Sequence, residues 1–393
     1  MTENPAVLLS PLGREALARA AALLGDTPGS ELAVAAALRR EYPASLAAAA
    51  VAQYELRLAA REKFSRATEM LFTRAGYEQS SSETIARHRA ARFRGARRVA
   101  DLCCGIGGDL IALAAVPQSA AAGSAVTVLA VDRDETHARL AVHNAGVYAA
   151  GGRVSACVAD VRDIALHGID AVFIDPARRD AARRFPVGVS QPSLDWCLDL
   201  AGRVPVCVKA APGLPAELIP PGWEAEFIAD GRDLKEAVLW SPAFATAPRR
   251  ATILPAGDTL TATPGGPVEV AEPGEYLLDP SPAVTRAGLV EDLARLAGAR
   301  KIDPRIAFLT ADRAVSTPFA RTLRVIDSAP WNEKRFAARL RELGVGAADI
   351  RRRGLAGDVD QIRRRLKLRG PHRATVVLTR VSDKPWGLIC TAP

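Results

Sequence analysis

The sequence predicts an α/β protein whose central part is an open, mostly parallel sheet, with a helical region before it and a smaller α/β region after it. Two observations support this fold class. From residue 98 onward, short apolar runs typical of strands alternate with helical segments, a pattern that favours parallel strands joined by crossover helices. Over the first ninety residues, apolar side chains instead recur at helical spacing.

The helical region comprises segments such as REALARAAALL, ELAVAAALRREY and SLAAAAVAQYELRLAAREKF. Pro28 and Pro43 separate these segments, as prolines commonly do between helices. The basic stretch ARFRGARR, at residues 91–98, then leads into the first strong strand. We therefore predict a helical N-terminal domain over residues 1–94.

The sheet is predicted to lie within residues 95–245, which we treat as the catalytic domain. Ligands of open α/β sheets bind beyond the carboxyl ends of the strands, so the residues that follow each apolar run are the candidate site residues. The predicted strands are 98–102, 126–131, 154–158, 170–174 and 204–210.

Around residues 243–282 the composition changes to Pro, Gly and Thr, which predicts short strands and turns. We predict a connecting α/β region at 246–330 and a C-terminal domain at 331–393. The elements expected after the turn-rich stretch are helices near 284–298, 333–343 and 358–367, strands near 305–310 and 348–353, and a final hairpin formed by ATVVLTR and WGLIC.

Composition limits the classes of function. The apolar content of 49% is typical of a folded protein, and the net charge of +8 permits an acidic partner such as nucleic acid. The six cysteines form no CxxC pair and the five histidines show no metal-ligand spacing, so we expect reduced, buried thiols and no metal. Glu3 stands where a secretory signal needs positive charge, which favours a cytoplasmic location.

A glycine-rich turn follows the first predicted strand, in DLCCGIGGD at residues 101–109. Glycine allows the backbone to approach a nucleotide-like ligand, and the next helix offers free N–H groups to a polar or anionic group. Gly105 and Gly107 begin the dinucleotide pattern G-x-G-x-x-G, but Leu110 occupies its last glycine position. Taken alone, the turn is also compatible with a purely structural role.

An acid stands at the end of each of the next three predicted strands. Asp132 ends the second strand, where a carboxylate can accept hydrogen bonds from both hydroxyls of a ribose. Asp160 follows the third strand, where it could accept from an adenine amino group. Asp175 follows the fourth; it can accept from an amino or hydroxyl group, and Pro176 stiffens the loop. This order of motifs favours a methyltransferase over a nicotinamide dehydrogenase, which the missing third glycine disfavours.

Through these motifs, and in the preceding EKFSRATEMLFTRAGYEQSSSETIARHRAARF, residues 62–180 resemble the class I S-adenosylmethionine-dependent methyltransferases. They are most similar to the trimethylguanosine synthase branch of the RNA guanine methyltransferases. The resemblance implies a Rossmann-like sheet, S-adenosylmethionine as cofactor, and a segment SSSETIARHRAARF that covers the pocket. The cofactor residues that it implies are Asp101, Cys103, Gly105, Gly107, Asp132, Arg133, Asp160 and Val161.

One departure from this family concerns the acceptor. The family has a Pro-Pro-Trp run whose tryptophan stacks on the cap base, whereas this chain has Pro176-Ala177-Arg178-Arg179. A cap-like substrate is therefore not expected. Arg178 and Arg179 could contact phosphate or stack on a base, or could belong to a solvated loop. Lys209, at the end of the fifth predicted strand, could contact substrate or be a surface lysine.

The segment GLAGDVDQIRRRLKLRGPHRATVVLTRVSDKPWGLIC resembles the THUMP-like domain that accompanies bacterial methyltransferases of this type, which implies binding of a structured RNA. Residues 334–373 contain thirteen Lys or Arg and four acids, a balance of +9. Phosphate contacts from such residues supply affinity without sequence choice, although a solvated helix face has the same composition. The candidate RNA contacts are Arg363, Arg364 and Arg365.

The sequence thus predicts a methyltransferase that acts on structured tRNA or rRNA by direct transfer to a purine amino group or ring nitrogen. Asp175 is expected to orient the acceptor, with Pro176 shaping the slot. Cys103 and Cys104 are expected to be small buried residues rather than nucleophiles. Two alternatives stay open, a methyltransferase for a protein or small molecule and a catalytically silent RNA-binding protein.

Overall fold

The structure is a computed structural model that describes residues 4–26, 31–116, 126–150, 153–177, 186 and 189–393. The chain forms two units. One consists of Met1–Glu224 and Ala237–Thr246, and the other of Ala225–Glu236 and Ala247–Pro393. The four-part domain division drawn from the sequence stays a prediction.

The N-terminal part of the first unit is helical, as the apolar spacing predicts. Its buried leucines, among them Leu17, Leu24 and Leu38, share one core with Ile106 and Ile111, so the helices pack against the glycine-turn region rather than forming a separate core. The helices of this part are α1 (Pro11–Asp26), α2 (Glu31–Glu41), α3 (Ala44–Ala60), α4 (Arg74–Gln79) and α5 (Glu83–Ala90).

The strands between residues 98 and 210 confirm the predicted parallel sheet, and each of the five predicted runs overlaps an observed strand, whereas the strands between residues 224 and 261 follow one another without an α-helix. Helices α6 (Gly108–Ala114), α7 (Glu135–Val147) and α8 (Leu194–Asp199) lie between the parallel strands in the chain. The strands are β1 (Arg98–Leu102), β2 (Thr127–Asp132), β3 (Val154–Val158), β4 (Ala171–Ile174), β5 (Val206–Ala210), β6 (Glu224–Asp230), β7 (Asp233–Trp240), β8 (Arg249–Leu254) and β9 (Asp258–Thr261).

The sheet of the first unit has the strand order β3-β2-β1-β4-β5-β7. Strands β1 to β5 run parallel, and the C-terminal half of β7 pairs antiparallel with β5. The strand order reverses between β1 and β4, and ligands of doubly wound sheets bind at such a switch point. The fold therefore directs attention to the residues that follow β1, β2, β4 and β5.

In the second unit, β6 pairs with β8 and β8 with β9, and the later strands form a seven-stranded sheet ordered β11-β12-β10-β13-β16-β15-β14. This sheet includes strands from both sides of residue 330. The remaining elements are β10 (Tyr276–Pro280), α9 (Pro282–Ala287), α10 (Val290–Ala297), β11 (Arg300–Lys301), β12 (Leu309–Ala311), β13 (Ala320–Pro330), α11 (Glu333–Glu342), β14 (Val345–Arg352), α12 (Val359–Leu366), β15 (His372–Val381) and β16 (Lys384–Thr391).

Strand β15 alternates its side chains between two cores of this sheet. Val376 and Leu378 pack in a cluster with Phe336 of α11, whereas Val377 packs in another cluster with Phe308. The final hairpin, β15 and β16, is confirmed. The prediction of one helix over 284–298 is wrong, because Gly288, at φ +74°, ends α9 before α10 begins. The strand expected at 305–310 begins only at Leu309.

Candidate functional site

The carboxyl ends of four parallel strands lie side by side in the first unit. Asp175 directly follows β4, and its N–H donates to the Leu102 carbonyl at the end of β1, 3.2 Å away. The N–H of Cys104 donates to the Val131 carbonyl of β2, 3.1 Å away. The acids that the sequence places at separate strand ends are thus brought to one edge of the sheet.

The turn after β1 departs from ordinary backbone conformations at three positions. Cys103, Gly105 and Gly107 have φ values of +61°, +52° and +87°, in the left-handed region that favours glycine. A Cβ on Gly107 would lie 3.0 Å from Ala141 Cα, whereas a Cβ on Gly105 would have no neighbour within 4 Å among the residues that the structure describes. Gly107 is therefore required for packing against α7, and Gly105 leaves open space next to the turn.

Asp132 is bound to this turn. Its Oδ2 accepts from the Gly105 N–H at 2.9 Å, and its Oδ1 accepts from the Asp134 N–H at 3.0 Å. Burial alone would raise the Asp132 pKa, but contact with His137 and these backbone hydrogen bonds outweigh burial and lower the pKa. His137 lies beside Asp132, with its Nδ1 3.8 Å from Oδ1, and the sequence analysis did not identify this contact.

Asp101 is buried beneath the same strand ends. The side chain is only 1% exposed, and neither carboxylate oxygen has a hydrogen-bond partner among the described residues. Burial, followed by the charges of Asp109, Asp175 and Asp132, raises the pKa of Asp101 well above its ordinary value, and Lys209 opposes this shift. The protein therefore keeps Asp101 protonated over a range of pH in which an ordinary aspartate is ionised.

Asp160 has a partner that the sequence analysis did not consider. Arg162 donates from Nε to Asp160 Oδ1 at 2.9 Å and from Nη2 to Oδ2 at 2.6 Å, and its backbone N–H donates to Oδ1 as well. This bidentate pair lowers the pKa of Asp160 far below its ordinary value. Of the neighbouring candidates, Val161 is buried and Arg133 is exposed.

Asp175 forms an ion pair with Lys209. The Lys209 ammonium lies 2.6 Å from Asp175 Oδ2; the side chain of Lys209 is 3% exposed and that of Asp175 is 26% exposed. The open alternative of a surface lysine at position 209 is therefore wrong. Pro176 is buried beside Asp175, and Ala177 pairs with Gln191 through two backbone hydrogen bonds. Arg178 and Arg179 lie outside the described residues.

The cysteines of the turn lack the character of nucleophiles, as predicted. Burial, followed by the nearby charges of Asp132 and Asp175, raises the pKa of Cys103, and burial likewise raises the pKa of Cys104. A raised thiol pKa reduces the thiolate that would attack. The expectation that all cysteines are buried is wrong for Cys103 and Cys157, which are partly exposed.

The covering segment implied by the resemblance lies against the turn. A Cβ on Gly108 would lie 3.2 Å from the Ser80 Cβ. Arg89 of α5 forms a buried ion pair with Asp109 in the first turn of α6, and its guanidinium lies 5.4 Å from the centre of the Phe173 ring. The sequence analysis missed this pair, because nothing in the spacing of residues 89 and 109 indicates their contact.

Arg89→Met is expected to lower the free energy of unfolding by about 3–5 kcal/mol, because it leaves Asp109 buried without its cation. Arg139→Met is the matched control, since Arg139 pairs with Glu135 on α7 and both side chains are exposed, at 52% and 73%. Urea denaturation of both variants measures the difference. Equal midpoints for the two variants would contradict the structural role of Arg89.

In the second unit, two of the three arginines predicted to contact RNA have acidic partners. Arg363 contacts Asp360 at 2.7 Å and Arg365 contacts Glu333 at 3.0 Å, while Arg364 is exposed. Arg353, which also lies in the basic stretch of residues 334–373, pairs with Asp279 at 2.9 Å and is three-quarters buried. Exposed ion pairs such as those of Arg363 and Arg365 contribute little stability, so a phosphate can replace the acidic partner. Arg353, which is mostly buried, has a structural role instead.

Within the described ranges, no group of three or more His, Cys, Asp or Glu side chains is arranged to hold a metal ion. Nor does any helix in those ranges combine the length and the apolar character that crossing a membrane requires.

Comparison with known families identifies three regions of the chain. Residues 96–180 match a family model described as RNA cap guanine-N2 methyltransferase. Residues 320–392 match a model described as THUMP domain-like. Residues 2–60 match a domain of unknown function. The first two matches coincide with the two resemblances found in the sequence.

The chain is similar to two relatives from Mycobacterium tuberculosis, one from strain CDC 1551 and one from strain H37Rv. Each is described as an uncharacterised S-adenosylmethionine-dependent methyltransferase. Each is 38% identical to this chain over 323 residues, which cover 80% of this chain and 86% of the relative. The crystal structure of a proposed methyltransferase from Porphyromonas gingivalis W83 covers 89% of this chain and 91% of its own, with a TM-score of 0.72. At 21% identity, this last likeness concerns the fold alone.

Proposed function

This chain belongs to the S-adenosylmethionine-dependent methyltransferases, and from that premise we propose that it methylates a purine amino group or ring nitrogen in a structured RNA. The observation that supports this proposal best is Asp175, a partly exposed acid at the switch point of the sheet, with one carboxylate oxygen bound to Lys209. The other carboxylate oxygen can accept a hydrogen bond from the N–H group of a purine.

The residues at the strand ends fit the cofactor. Three features form a site with acidic surroundings: open space beside Gly105, the hydrogen-bonded carboxylate of Asp132, and the buried oxygens of Asp101, which have no partner in the part of the chain that the structure describes. A ligand that has positive charge is favoured in such a site. When bound, S-adenosylmethionine supplies a methyl group on a positively charged sulfur. We propose that the turn of Asp101, Cys103, Gly105 and Gly107 binds its methionine part, Asp132 and Arg133 its ribose, and Asp160 and Val161 its adenine.

Asp175 is proposed to act by orientation. The oxygen that does not contact Lys209 is proposed to accept a hydrogen bond from the N–H of the purine nitrogen to be methylated, which turns the nitrogen lone pair toward the methyl group. Pro176 limits the conformations of the loop, and Ala177 is held by its backbone pair with Gln191. Because this chain has Arg178 at the position of the tryptophan that stacks on the cap base in the cap methyltransferases, we propose an internal purine of tRNA or rRNA rather than a cap.

RNA as the substrate is supported by the THUMP domain-like match and by the basic composition of residues 334–373. Exposed arginines such as Arg364 suit contacts with phosphates. We propose that this region binds the RNA and that Arg178 and Arg179 contact it near the acceptor.

The test is transfer of labelled methyl from S-adenosylmethionine to total RNA from a strain that lacks this protein. The expected result is label in one discrete RNA band, retained after protease treatment and lost after ribonuclease treatment. Digestion to nucleosides then identifies the methylated base. Label in protein or in small molecules would contradict RNA as the acceptor, and binding of cofactor without any transfer would favour a catalytically silent RNA-binding protein.

A further inference from the structure

We propose that Lys209 is a positioning residue for methyl transfer, which acts by holding one oxygen of Asp175 so that the other is presented to the acceptor. This inference rests on the proposed function of Asp175. The Lys209 ammonium lies 2.6 Å from Asp175 Oδ2. Strands β4 and β5 are parallel neighbours with Ile174 opposite Val208, so the following residues, Asp175 and Lys209, are placed opposite each other by the register of the sheet.

Burial distinguishes this role from substrate binding. The Lys209 side chain is 3% exposed, whereas a lysine that contacts RNA phosphates needs an ammonium that solvent can reach. A buried ammonium is stable only with a partner, and Asp175 is the partner that the structure provides. Lys209 therefore does not contact the substrate itself and acts on it only through Asp175.

The pattern of burial also distinguishes the Lys209–Asp175 ion pair from one that only stabilises the fold. A buried ion pair is weak evidence for stability, because apolar side chains of similar volume often replace it without loss. Here the side chain of Asp175 is 26% exposed at the switch point of the sheet, while the side chain of Lys209 is buried. Because the cation is buried and the carboxylate is partly exposed, Asp175 keeps one oxygen that has no hydrogen-bond partner among the described residues.

The charges around Asp175 increase the need for this cation. Asp101, Asp109, Asp132 and Asp175 lie close enough for the charges of the last three to raise the pKa of Asp101, and Lys209 lowers it. Without Lys209, repulsion from the other acids would favour a rotation of the Asp175 carboxylate toward solvent. Because a misplacement of about 1 Å can reduce a rate about 100-fold, such a rotation is sufficient to impair transfer.

Kinetics of Lys209→Met test the proposal, with Lys209→Arg as the conservative variant. Lys209→Met is expected to lower kcat about 100-fold, with KM for RNA and the cofactor Kd changed less than about threefold. Lys209→Arg should recover part of the lost kcat, and Lys209→Met should add little to Asp175→Asn in the double variant. Lys235→Met is the control, because Lys235 is an exposed strand lysine paired with Asp233 at 3.5 Å.

Crystal structures of the wild type and of Lys209→Met provide a readout that does not depend on the substrate. The Asp175 carboxylate is expected to turn away from its wild-type orientation in the variant, and an unchanged orientation would overturn the proposal. A raised KM with normal kcat would assign Lys209 to substrate binding instead. Failure of the wild type to methylate RNA would contradict the proposed function alone, since the structural comparison still decides the role of Lys209.

Discussion

Asp175→Asn is expected to lower the rate of methyl transfer by about 10²–10³-fold, the usual cost of removing one hydrogen bond formed at the reacting group. The amide oxygen of asparagine can still accept from Lys209, whose ammonium lies 2.6 Å from Asp175 Oδ2. The amide NH₂ would then face the purine that receives the methyl group. An NH₂ group cannot accept a hydrogen bond from the N–H of that purine. The variant thus keeps the shape of the site while the acceptor loses its orienting oxygen.

Asparagine is a better test here than alanine. Asp175→Ala would leave the buried ammonium of Lys209 without its carboxylate, which costs about 3–5 kcal/mol when one partner of a buried pair is removed. A loss of activity in that variant could then result from a destabilised fold. Asp175→Asn avoids this ambiguity because it retains a hydrogen-bond acceptor for the lysine.

The measurement is the initial rate of labelled methyl transfer together with the cofactor Kd from calorimetry. The cofactor Kd is expected to stay within about threefold of the wild type, since Asp175 binds the acceptor and not the cofactor. Asp199→Asn, at the exposed end of α8, is the matched control and should be fully active. Asp132→Ala should instead weaken cofactor binding first. A rate above one tenth of the wild type in Asp175→Asn would refute the role of Asp175.

Asp101→Asn is expected to weaken cofactor binding while making the cofactor-free protein more stable. The cofactor has positive charge, which favours the ionised form of Asp101, so binding should release a proton from this buried carboxyl. Each pKa unit of this coupling corresponds to about tenfold in affinity. Cofactor affinity of the wild type should therefore rise with pH, and this rise should be smaller in Asp101→Asn.

The stability effect follows from the same raised pKa. Because the folded pKa of Asp101 lies above its unfolded value, the stability that this group contributes is complete below the unfolded pKa and is lost as pH rises through the folded pKa. Above that pH, the wild type must bury an ionised carboxylate near Asp109, Asp132 and Asp175. The variant should consequently have the higher Tm at alkaline pH, and the difference should vanish toward pH 4.

Calorimetry of cofactor binding in buffers of different ionisation enthalpy measures the released proton directly. Thermal denaturation over the same pH range measures the stability difference between wild type and Asp101→Asn, and the shared contributions of His137 and Asp132 cancel in that comparison. Equal proton release by the wild type and by the variant would show that another group is responsible. A variant with a lower Tm at alkaline pH would contradict burial of the charge as the cause.

The order of the elements and the acids at the strand ends can be read from the amino-acid sequence. Apolar runs of strand length alternate with helical segments, and the carboxyl ends of parallel strands must meet at one edge, so Asp132 and Asp175 could be assigned to one site. The glycines of the turn were recognisable because few other residues tolerate the left-handed conformation observed at Gly105 and Gly107.

Which charged side chains pair with each other depends on the tertiary fold. Lys209 lies 34 residues from Asp175 in the chain, and Arg89 lies 20 residues from Asp109. An apolar pattern determines which face of a strand is buried, but it does not determine which strand lies beside it or in which register. A lysine in an apolar strand therefore looked like a surface or substrate residue, and only the pairing of β4 with β5 showed that its charge is buried against Asp175.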